Sequence, residues 1–311
     1  ILARAGKAFA NPGNFNNEIG LPLAVLQAPE DARFAIYEMG AGQPGDIAYL
    51  ASIAPPQVAL VNNIMPAHLE RLGSLLGVAE TKGAIYEALP DDGVAVVNAD
   101  DAFAPWFMQR IGERRCLRFG LENDADVRAS ALQLGPDGSR FRLHTPGGDA
   151  DVALPLAGRH SVMNALAAAA LALAAGASLD NVVTGLQSAP AVPGRQVPHA
   201  LRGGAVLVDD SYNANPGSVA AAIAALAETG TEAWLVLGDM GELGEGAEAL
   251  HAEVGERARR AGIKRVWTVG ELSASTSRAF GDGGHHFNDQ AGLLAALGPA
   301  LAAAPAGLRC L

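Results

Sequence analysis

The sequence is poor in cysteine, and Cys116 and Cys310 are the only two among 311 residues. Two cysteines are too few for a disulfide framework, and they lack the paired spacing of a structural zinc site. The sequence therefore predicts a protein of a reducing compartment, and we expect it in the cytoplasm.

Long hydrophobic runs and basic clusters are also missing. The longest apolar run, residues 165–175, is rich in alanine and too short to cross a bilayer, and no charged start with an apolar stretch and a cleavage site opens the chain. We therefore expect no membrane insertion. The formal net charge is -11 and Lys and Arg do not cluster, which argues against a nucleic-acid partner and favours an enzyme that acts on small molecules.

The apolar content is high enough for two domains. Half of the residues are hydrophobic and 18% are charged, and the length suits two α/β domains. Proline and glycine interrupt the pattern at residues 190–198, so we expect domains at 1–192 and 193–311. Residues 1–10 indicate the tail of a helix and residues 308–311 the start of a strand, so we expect both outer ends to be truncated.

Apolar runs bounded by Gly, Pro and Asp alternate with Ala- and Leu-rich helical patterns, which is typical of β-α units around a mostly parallel sheet. Turn residues within 129–156 predict antiparallel hairpins added to the first sheet. The second domain is expected to be a small, doubly wound, Rossmann-like α/β domain. The predicted strands are 34–39, 58–62, 94–98, 116–119, 206–210, 234–237 and 266–269, and helices are predicted at 161–175 and 179–188.

Polar residues follow several of these strands. Glu38 lies near the carboxyl end of its strand, where open α/β sheets place their ligands, and it could bind a metal ion. His68 and Lys82 follow the next strand, and the alternative for each is a satisfied histidine or a solvated helix charge. Residues 13–22 contain Gly and several Asn, so this loop either holds a polar ligand or forms a turn that caps a helix.

Residues 158–164 precede the Ala-rich helix, with Ser161 as the expected N-cap. Asn164 is expected in the first turn, where its carboxamide either pairs with an adenine edge or only starts the helix. Arg195 lies in the interdomain stretch and could bind phosphate. Two acids at 209–210 suit ribose hydroxyls or a cation, and Asn215 with Pro216 predicts a helix start.

Residues 237–244, LGDMGELG, loosely resemble a dinucleotide fingerprint, with Glu271 as a possible ribose ligand. This is the basis of one alternative, a nicotinamide-dependent oxidoreductase. The spacing is GxxGxxG rather than GxGxxG, and the two acids inside the loop would repel a pyrophosphate.

The order of the motifs is more informative than any one of them. The chain contains, in sequence, GNFNNEIGLP, EMGAGQPGDI, NNIMPAHLERLGS, AETKGAIY, LAGRHSVMNALAAAA, PGR, DDSYNANPGS and LGDMGELG. This series resembles the Mur ligases from end to end. The forms DDSYNANPGS and GDMGELG resemble the members that add D-alanyl-D-alanine to a UDP-N-acetylmuramoyl-tripeptide.

The resemblance implies a fold, a reaction and roles for named residues. The fold is a central ATPase domain followed by a Rossmann-like ligase domain, and the reaction uses ATP and Mg²⁺ to form an amide bond through an acyl phosphate. Lys82, implied to be carbamylated, would act with His68 and Arg195 in catalysis. The resemblance also implies three sets of binding residues. The metal ion would be bound by Glu38, His68 and Lys82, and ATP by Asn164, His160, Arg195 and Asp210. The two substrates would be bound by Asn14, Asn16, Asn17, Tyr212, Asn213 and Asn215.

The sequence departs from the family pattern at the phosphate loop. Lys7 follows Gly6, but no GxxxxGK[ST] surrounds it, and the uridine-binding domain that family members carry is not recognisable. We therefore expect a fragment that folds, acts as a monomer and is inactive in ligation by itself. Two further alternatives stay open, a folylpolyglutamate-synthase-like ligase and a non-catalytic nucleotide-binding module.

Overall fold

The structure is a computed structural model that describes residues 1–66 and 69–311. It divides into two compact units. Unit 1 comprises Ile1–Leu134 and Gly138–Ala189, and unit 2 comprises Gly135–Asp137 and Pro190–Leu311. Each unit is described by itself below.

Unit 1 contains a two-stranded parallel sheet and a six-stranded sheet. The large sheet has the order β3-β4-β5-β6-β7-β8, in which β3 to β6 are parallel and β7 pairs antiparallel with β8. The strands are β1 (Ala8–Ala10), β2 (Phe34–Ile36), β3 (Val58–Val61), β4 (Val94–Asn98), β5 (Arg115–Gly120), β6 (Val127–Gly135), β7 (Gly138–Thr145) and β8 (Gly148–Leu154).

Helices cover both faces of this sheet. Every residue of β4 is buried, and its alternating side chains enter two different cores. Val96 packs in the cluster that contains α6, whereas Ala95 and Val97 pack in the cluster that contains α4 and α5. The helices of unit 1 are α1 (Gly20–Gln27), α2 (Asp46–Ile53), α3 (Leu69–Leu72), α4 (Leu75–Glu87), α5 (Ala104–Ile111), α6 (Arg159–Ala174) and α7 (Leu179–Gln187).

Unit 2 has one six-stranded sheet of order β13-β12-β11-β14-β10-β9, parallel except for the antiparallel edge strand β9. Trp234 and Trp267 pack with the side chains of α11, whereas Leu235 and Val266 pack with those of α8 and α9. The elements are β9 (Val197–Ala200), β10 (Val206–Asp209), α8 (Pro216–Glu228), β11 (Ala233–Leu237), α9 (Ala247–Arg260), β12 (Arg265–Val269), α10 (Ala274–Phe280), β13 (Gly284–Phe287), α11 (Gln290–Ala302) and β14 (Arg309–Cys310).

The predicted fold class is confirmed, and so are the central strands, the hairpin at β7 and β8, and helices α6 and α7. The predicted helix tail at residues 1–10 is wrong. Leu2–Arg4 forms a single 3-10 turn, and Ala8–Ala10 is a strand that pairs in parallel with β2. Only one turn forms because the chain beyond it is used as a strand.

Two further predictions need correction. The strand expected at 34–39 ends at Ile36, so Glu38 lies in the following loop. The proline-containing stretch taken as a linker includes the strand Val197–Ala200, which carries Pro198. Proline is tolerated there because β9 is an edge strand, where a missing N–H donor leaves no neighbour unpaired. Across the described ranges, no helix is both long and apolar enough to traverse a bilayer.

Candidate functional site

The carboxyl ends of β3 and β4 lie side by side in unit 1. The parallel register pairs Val61 with Val97, which places Asn62 beside Asn98. The Asn98 Nδ2 donates to the Asn62 carbonyl at 2.9 Å, and the Asn98 Oδ1 accepts the backbone N–H of Asp100 at 3.0 Å. These bonds fix the backbone that leaves both strands, so polar groups accumulate at one edge of the sheet.

Asp101 ties the loop after β4 to the loop after β3. Its Oδ2 accepts the Ile64 N–H at 2.7 Å, and its Oδ1 accepts the Phe103 N–H at 2.8 Å. A carboxylate that accepts two backbone N–H groups forms charge-assisted bonds, which are stronger than neutral ones. The segment that precedes residues 67 and 68 is thereby held against the end of β4.

Lys82 lies on α4 beside this segment, partly buried, with its Nζ 3.5 Å from the carbonyl oxygen of Asn63. Burial lowers the pKa of the Lys82 amine below its ordinary value, and the negative charge of Asp101 opposes that change. A lowered pKa raises the fraction of neutral amine, which is the nucleophilic form. The chemistry that the sequence suggested at Lys82 stays a prediction.

Tyr86 anchors the same helix one turn further on. Its side chain is fully buried, and its hydroxyl accepts the Val61 N–H at 2.9 Å and donates to the Val96 carbonyl at 2.8 Å. Its ring meets Phe107 edge-on, with centroids 5.3 Å apart. One hydroxyl therefore joins α4 to both strands that carry the polar edge.

Asn164 is the sequence-predicted residue that reaches this edge from another element. The Asn62 Nδ2 donates to the Asn164 Oδ1 at 3.1 Å. The prediction that Ser161 is the N-cap is wrong, because α6 begins at Arg159 after Gly158, and the Ser161 hydroxyl donates to the Ala157 carbonyl at 2.7 Å. Asn164 consequently lies in the second turn of α6, and it is exposed.

A second loop borders the start of α6. The Asp100 carboxylate accepts the backbone N–H groups of residues 121–123 at 2.6 to 3.2 Å. Glu122 of this loop forms an ion pair with Arg159, the first residue of α6. His160 follows, with its ring Nε2 3.2 Å from the Ser161 hydroxyl. Asp100 thus organises a loop next to the helix that carries Asn164.

The asparagine-rich loop contacts Glu38. The Asn16 Nδ2 donates to the Glu38 Oε1 at 3.2 Å, and the Asn11 Oδ1 accepts the Glu38 N–H at 3.0 Å. The Asn17 Oδ1 accepts the N–H of Gly20, the first residue of α1, at 2.8 Å. The carbonyl of Asn14 accepts the Asn16 N–H at 2.8 Å. The interpretation of the loop as a turn before a helix is therefore supported, and the loop also bonds to the exposed carboxylate of Glu38. The interpretation that it holds a polar ligand stays a prediction.

A magnesium ion fits only part of the predicted donor set. Within residues 1–66 and 69–311, no cluster of three or more His, Cys, Asp or Glu is arranged to hold a metal. His68 lies outside the described residues. Mg²⁺ usually takes one or two carboxylates, with waters and substrate phosphates completing its shell, which suits Glu38. The Lys82 amine is a cation when protonated and would fit only after conversion to a carbamate.

In unit 2, Gly194, Arg195 and Tyr212 form one local cluster. The Gly194 carbonyl accepts the Tyr212 N–H at 3.0 Å, and the Arg195 guanidinium lies 4.4 Å from the centre of the Tyr212 ring. Gly194 has φ +70°, and a Cβ there would lie 3.1 Å from Tyr212. The guanidinium is held by its cation-π contact and is exposed, so its positive charge is accessible to an anion.

The turn after β10 carries the remaining predicted groups. The hydroxyl and backbone N–H of Ser211 donate to the Asp209 Oδ1 at 2.6 and 3.1 Å, and these bonds hold the pKa of Asp209 below its usual value. Asp210 and Asn213 lie in the same turn. The predicted N-cap Asn215 is confirmed, because its Oδ1 accepts the Ser218 N–H in a capping box with Pro216 at the first helical position. A substrate contact by Asn215 would therefore use its Nδ2 or the second lone pair of its Oδ1.

The GDMGELG loop serves as a junction inside unit 2. The Asp239 Oδ1 accepts the Ser273 N–H at 2.7 Å; burial raises the pKa of Asp239, but hydrogen bonds from Ser273 and Leu272 outweigh it and leave the pKa lowered. The Met240 N–H donates to Nε2 of the fully buried His251 at 2.9 Å. Asp239, one of the two acids expected to repel a pyrophosphate, thus forms hydrogen bonds within the protein.

Several residues of this site escaped the sequence analysis, namely Asn98, Asp100, Asp101 and Tyr86. The acids follow a predicted strand directly, which was a usable signal for a site at the sheet edge. Tyr86 gave no such signal, because a tyrosine on an apolar helix face is typical of a core. Glu38 and Lys82 are each placed at a loop or helix of unit 1, but no described contact joins them.

Comparison with known families accounts for this arrangement. The family profile "Mur ligase middle domain" matches residues 1–172, and the profile "Mur ligase, glutamate ligase domain" matches residues 194–305. The chain is 45% identical over 298 residues to the UDP-N-acetylmuramoyl-tripeptide--D-alanyl-D-alanine ligase of Escherichia coli, covering 96% of this chain and 66% of that protein. It is 41% identical to the ligase of the same name from Haemophilus influenzae, covering 89% of this chain and 60% of the relative.

Solved structures give the same result. A MurF crystal structure from Acinetobacter baumannii superposes with a TM-score of 0.94 at 32% identity, covering all of this chain and 68% of that one. MurF ligase from Thermotoga maritima, solved in complex with ADP, has a TM-score of 0.87 at 28% identity and covers all of this chain and 70% of that one. The chain thus spans less than two thirds of the length of the Escherichia coli and Haemophilus influenzae ligases, and over that span it belongs to the Mur ligase family.

Proposed function

We propose that the protein is an ATP-dependent ligase that adds D-alanyl-D-alanine to UDP-N-acetylmuramoyl-tripeptide in peptidoglycan precursor synthesis. The observation that carries the proposal is 45% identity across nearly the whole chain to a ligase with this name. The polar edge built by Asn62, Asp101, Lys82 and Asn164 supports it, because these groups suit nucleotide binding and charge compensation. We place the enzyme in the cytoplasm, as a monomer with domains 1–192 and 193–311.

ATP is proposed to bind unit 1 through Asn164 and His160, with Arg195 and Asp210 of unit 2 assigned to the phosphates and the ribose. Asn164 supports an adenine contact because its exposed carboxamide is held by Asn62. Arg195 supports a phosphate contact because its guanidinium is stacked and exposed. The relative from Thermotoga maritima was solved with ADP, which is consistent with a nucleotide site in the family.

Glu38, His68 and a carbamate on Lys82 are proposed to hold Mg²⁺. Addition of CO₂ to the neutral Lys82 amine forms an N–C bond and releases one proton, which converts a cation into an oxygen-donor anion. The lowered pKa of Lys82 supports this step. When bound, the metal ion would supply compensation for the negative charge of the phosphates.

The proposed reaction has two steps. A terminal carboxylate oxygen of the tripeptide attacks the γ-phosphorus, the bond to ADP breaks, and an acyl phosphate forms. The amine of D-alanyl-D-alanine then attacks the acyl carbon, phosphate leaves, and the amine loses a proton as the amide forms. Arg195 would offset the phosphate charge, and positioning would supply much of the rate enhancement.

The two peptide substrates are assigned to different loops. The asparagine-rich loop with Asn14, Asn16 and Asn17 is proposed to approach the UDP-N-acetylmuramoyl-tripeptide, and its bond to Glu38 places it beside a proposed metal ligand. The turn with Tyr212, Asn213 and Asn215 is proposed to help hold the dipeptide. Exposed aromatic and carboxamide groups in this turn suit a small polar ligand, and Tyr212 is 58% exposed.

The test is a ligation assay on the full-length protein with ATP, Mg²⁺, UDP-N-acetylmuramoyl-tripeptide and D-alanyl-D-alanine. We expect phosphate release that depends on both peptide substrates, and a product whose mass equals their sum less one water. Parallel assays replace the peptide substrates with folate and glutamate, or ATP with a nicotinamide cofactor and a hydroxy acid. Turnover only in a parallel assay, or nucleotide binding without turnover in any, would replace the proposal with the corresponding alternative.

The proposed carbamate has its own test. Lys82→Ala should abolish ligation in the full-length protein, and added short carboxylates should restore part of it by replacing the lost oxygen donors. Lys264→Ala, which removes an exposed lysine of unit 2, is the matched control and should leave the rate unchanged. Wild-type turnover in Lys82→Ala would exclude the proposed role.

A further inference from the structure

Three neighbouring strands of unit 1, β6, β7 and β8, each contribute one side chain to a hydrogen-bonded chain. The Ser130 Oγ lies 2.7 Å from the His144 Nε2, and the His144 Nδ1 lies 3.0 Å from the Asp149 Oδ2. The order is that of a nucleophile, a general base and the acid that orients the base. We infer that these three residues form a second catalytic site, which hydrolyses small carboxylic esters with an anionic acyl group.

The positions of the protons follow from the acid. A carboxylate only accepts hydrogen bonds, so a neutral His144 carries its proton on Nδ1, and its Nε2 is left to accept from the Ser130 hydroxyl. Arg142 holds the acid from another side, with its Nε 3.9 Å from the same Asp149 oxygen and its Nη1 3.2 Å from Asp151. Ser130 is exposed and the His144 side chain is 22% exposed, so a substrate can reach the nucleophile while the base is largely shielded.

A β-bulge brings Ser130 to this face of the sheet. Four residues of β6 pack in the core with α6, namely Val127, Ala129, Leu132 and Leu134. The alternation of side chains therefore slips by one residue after Ala129, and Ala131 has φ +52°, a left-handed value that residues with a Cβ rarely adopt. Without the slip, Ser130 would share the face of Leu132 and point into the core, away from His144. Bulges often re-aim a side chain in this way beside an active site.

A cavity of about 390 Å³ adjoins the three residues and has the size of a small-molecule site. It begins at Ala131, next to Ser130 in the chain, and its wall carries Gln133, Arg140 and Arg142. Within the described ranges Arg140 forms no ion pair, whereas the charge of Arg142 is matched by two acids. The cavity therefore offers one uncompensated positive charge and a carboxamide, which suit an acyl group that ends in a carboxylate.

The proposed hydrolysis has two steps. The Ser130 oxygen attacks the ester carbonyl carbon and gives its proton to the His144 Nε2; the bond to the alcohol oxygen then breaks, and the alcohol leaves with that proton. Water next attacks the acyl-serine and gives a proton to His144, which returns it to the Ser130 oxygen as the carboxylic acid leaves. Asp149 stabilises the imidazolium and acts as a positioning residue. No step uses ATP, so the inference goes beyond the proposed ligation.

The test measures release of nitrophenol from p-nitrophenyl acetate and from the p-nitrophenyl monoester of succinate, without ATP. The wild-type full-length protein should hydrolyse both esters with saturation and prefer the succinate monoester, and mass spectrometry should find the acyl group on Ser130. Ser130→Ala and His144→Gln should each lower the rate above the buffer background by roughly 100-fold or more. Arg140→Ala should raise the KM for the succinate monoester and leave that for the acetate unchanged.

The role of Asp149 needs a readout that a loss of folding would not produce. Asp149→Asn should lower kcat by about tenfold or more, with each rate normalised to the folded fraction from circular dichroism. Asp149→Glu keeps the carboxylate and should recover part of the lost rate. Equal rates in these two variants would show that the carboxylate does not act on His144.

Ser52→Ala is the matched control for the nucleophile. Ser52 is an exposed serine of the same unit, and its hydroxyl donates to the Tyr49 carbonyl at 2.6 Å. Its replacement should leave hydrolysis unchanged. Undiminished hydrolysis in Ser130→Ala, an acyl group on another residue, or a wild-type rate at the buffer background would each overturn the inference. None of these results depends on ligation, so the proposed function would stand.

Discussion

Tyr86→Phe removes a single oxygen atom, and we expect it to lower the stability of unit 1 substantially. In Tyr86→Phe the ring and its edge contact with Phe107 stay, but the Val61 N–H and the Val96 carbonyl lose their partner inside the core. Each buried group left unpaired costs about 1 to 3 kcal/mol. Phenylalanine avoids the cost of burying a hydroxyl group, which offsets part of this loss. We therefore expect the free energy of unfolding to fall by about 2 to 3 kcal/mol.

Such a loss corresponds to roughly a 30- to 150-fold shift in the folding equilibrium. Urea unfolding should report it, and amide hydrogen exchange of the peptides that contain β3 and β4 should assign it to unit 1. Tyr49→Phe is the control, because Tyr49 is 52% exposed and loses the same atom at the surface. Equal unfolding free energies for the two variants would refute the reasoning.

Three further predictions concern unit 2. His251→Phe should lower its stability by about 2 kcal/mol in urea unfolding, because the Met240 N–H loses its buried acceptor; an unchanged midpoint would contradict this. Asp239 has a lowered pKa in the folded state, so its contribution is present above the unfolded value of about 4 and is lost as the pH falls through the lowered value. As the pH falls over that acid range, the urea midpoint of Asp239→Asn should therefore fall less than that of the wild-type protein. An equal fall in both proteins would show that other groups control the pH dependence of stability. Gly194→Ala should shift the Tyr212 amide in NMR spectra and lower thermal stability, because φ +70° is strained for alanine; an unperturbed amide would argue against this.

The sequence predicted the elements whose signals are local. Strand β4 was placed to the residue, because a run of valines bounded by Asp-Gly and Asn-Ala-Asp suits a strand covered on both faces. The start of α8 was also predicted, since Asn215 and Pro216 meet the requirements of a helix N-terminus within four residues. Both features depend on neighbours in sequence.

Features that depend on distant partners were missed. The strand β13 (Gly284–Phe287) contains two adjacent histidines, so it has no period that could identify it. The strand predicted at residues 308–311 is present as β14, but its place between β10 and β11 could not be predicted. The role of Asp101 depends on Ile64, which lies on another loop. Resemblance supplied roles for Glu38 and Lys82, but it did not indicate that Asn62 would hold Asn164.

The position of β14 affects how unit 2 can fold during synthesis. This strand lies between β10 and β11, where Arg309 pairs with both Val206 and Ala233. Until that strand leaves the ribosome, β10 and β11 have no partner on their facing edges. The partial sheet that contains β10 and the one that contains β11 then expose unpaired N–H and C=O groups. Exposed edges of this kind invite pairing with other chains, and closure across so many residues is slow. Translation of β14 should therefore be the step that lets β10 and β11 join one sheet and removes these two unpaired edges.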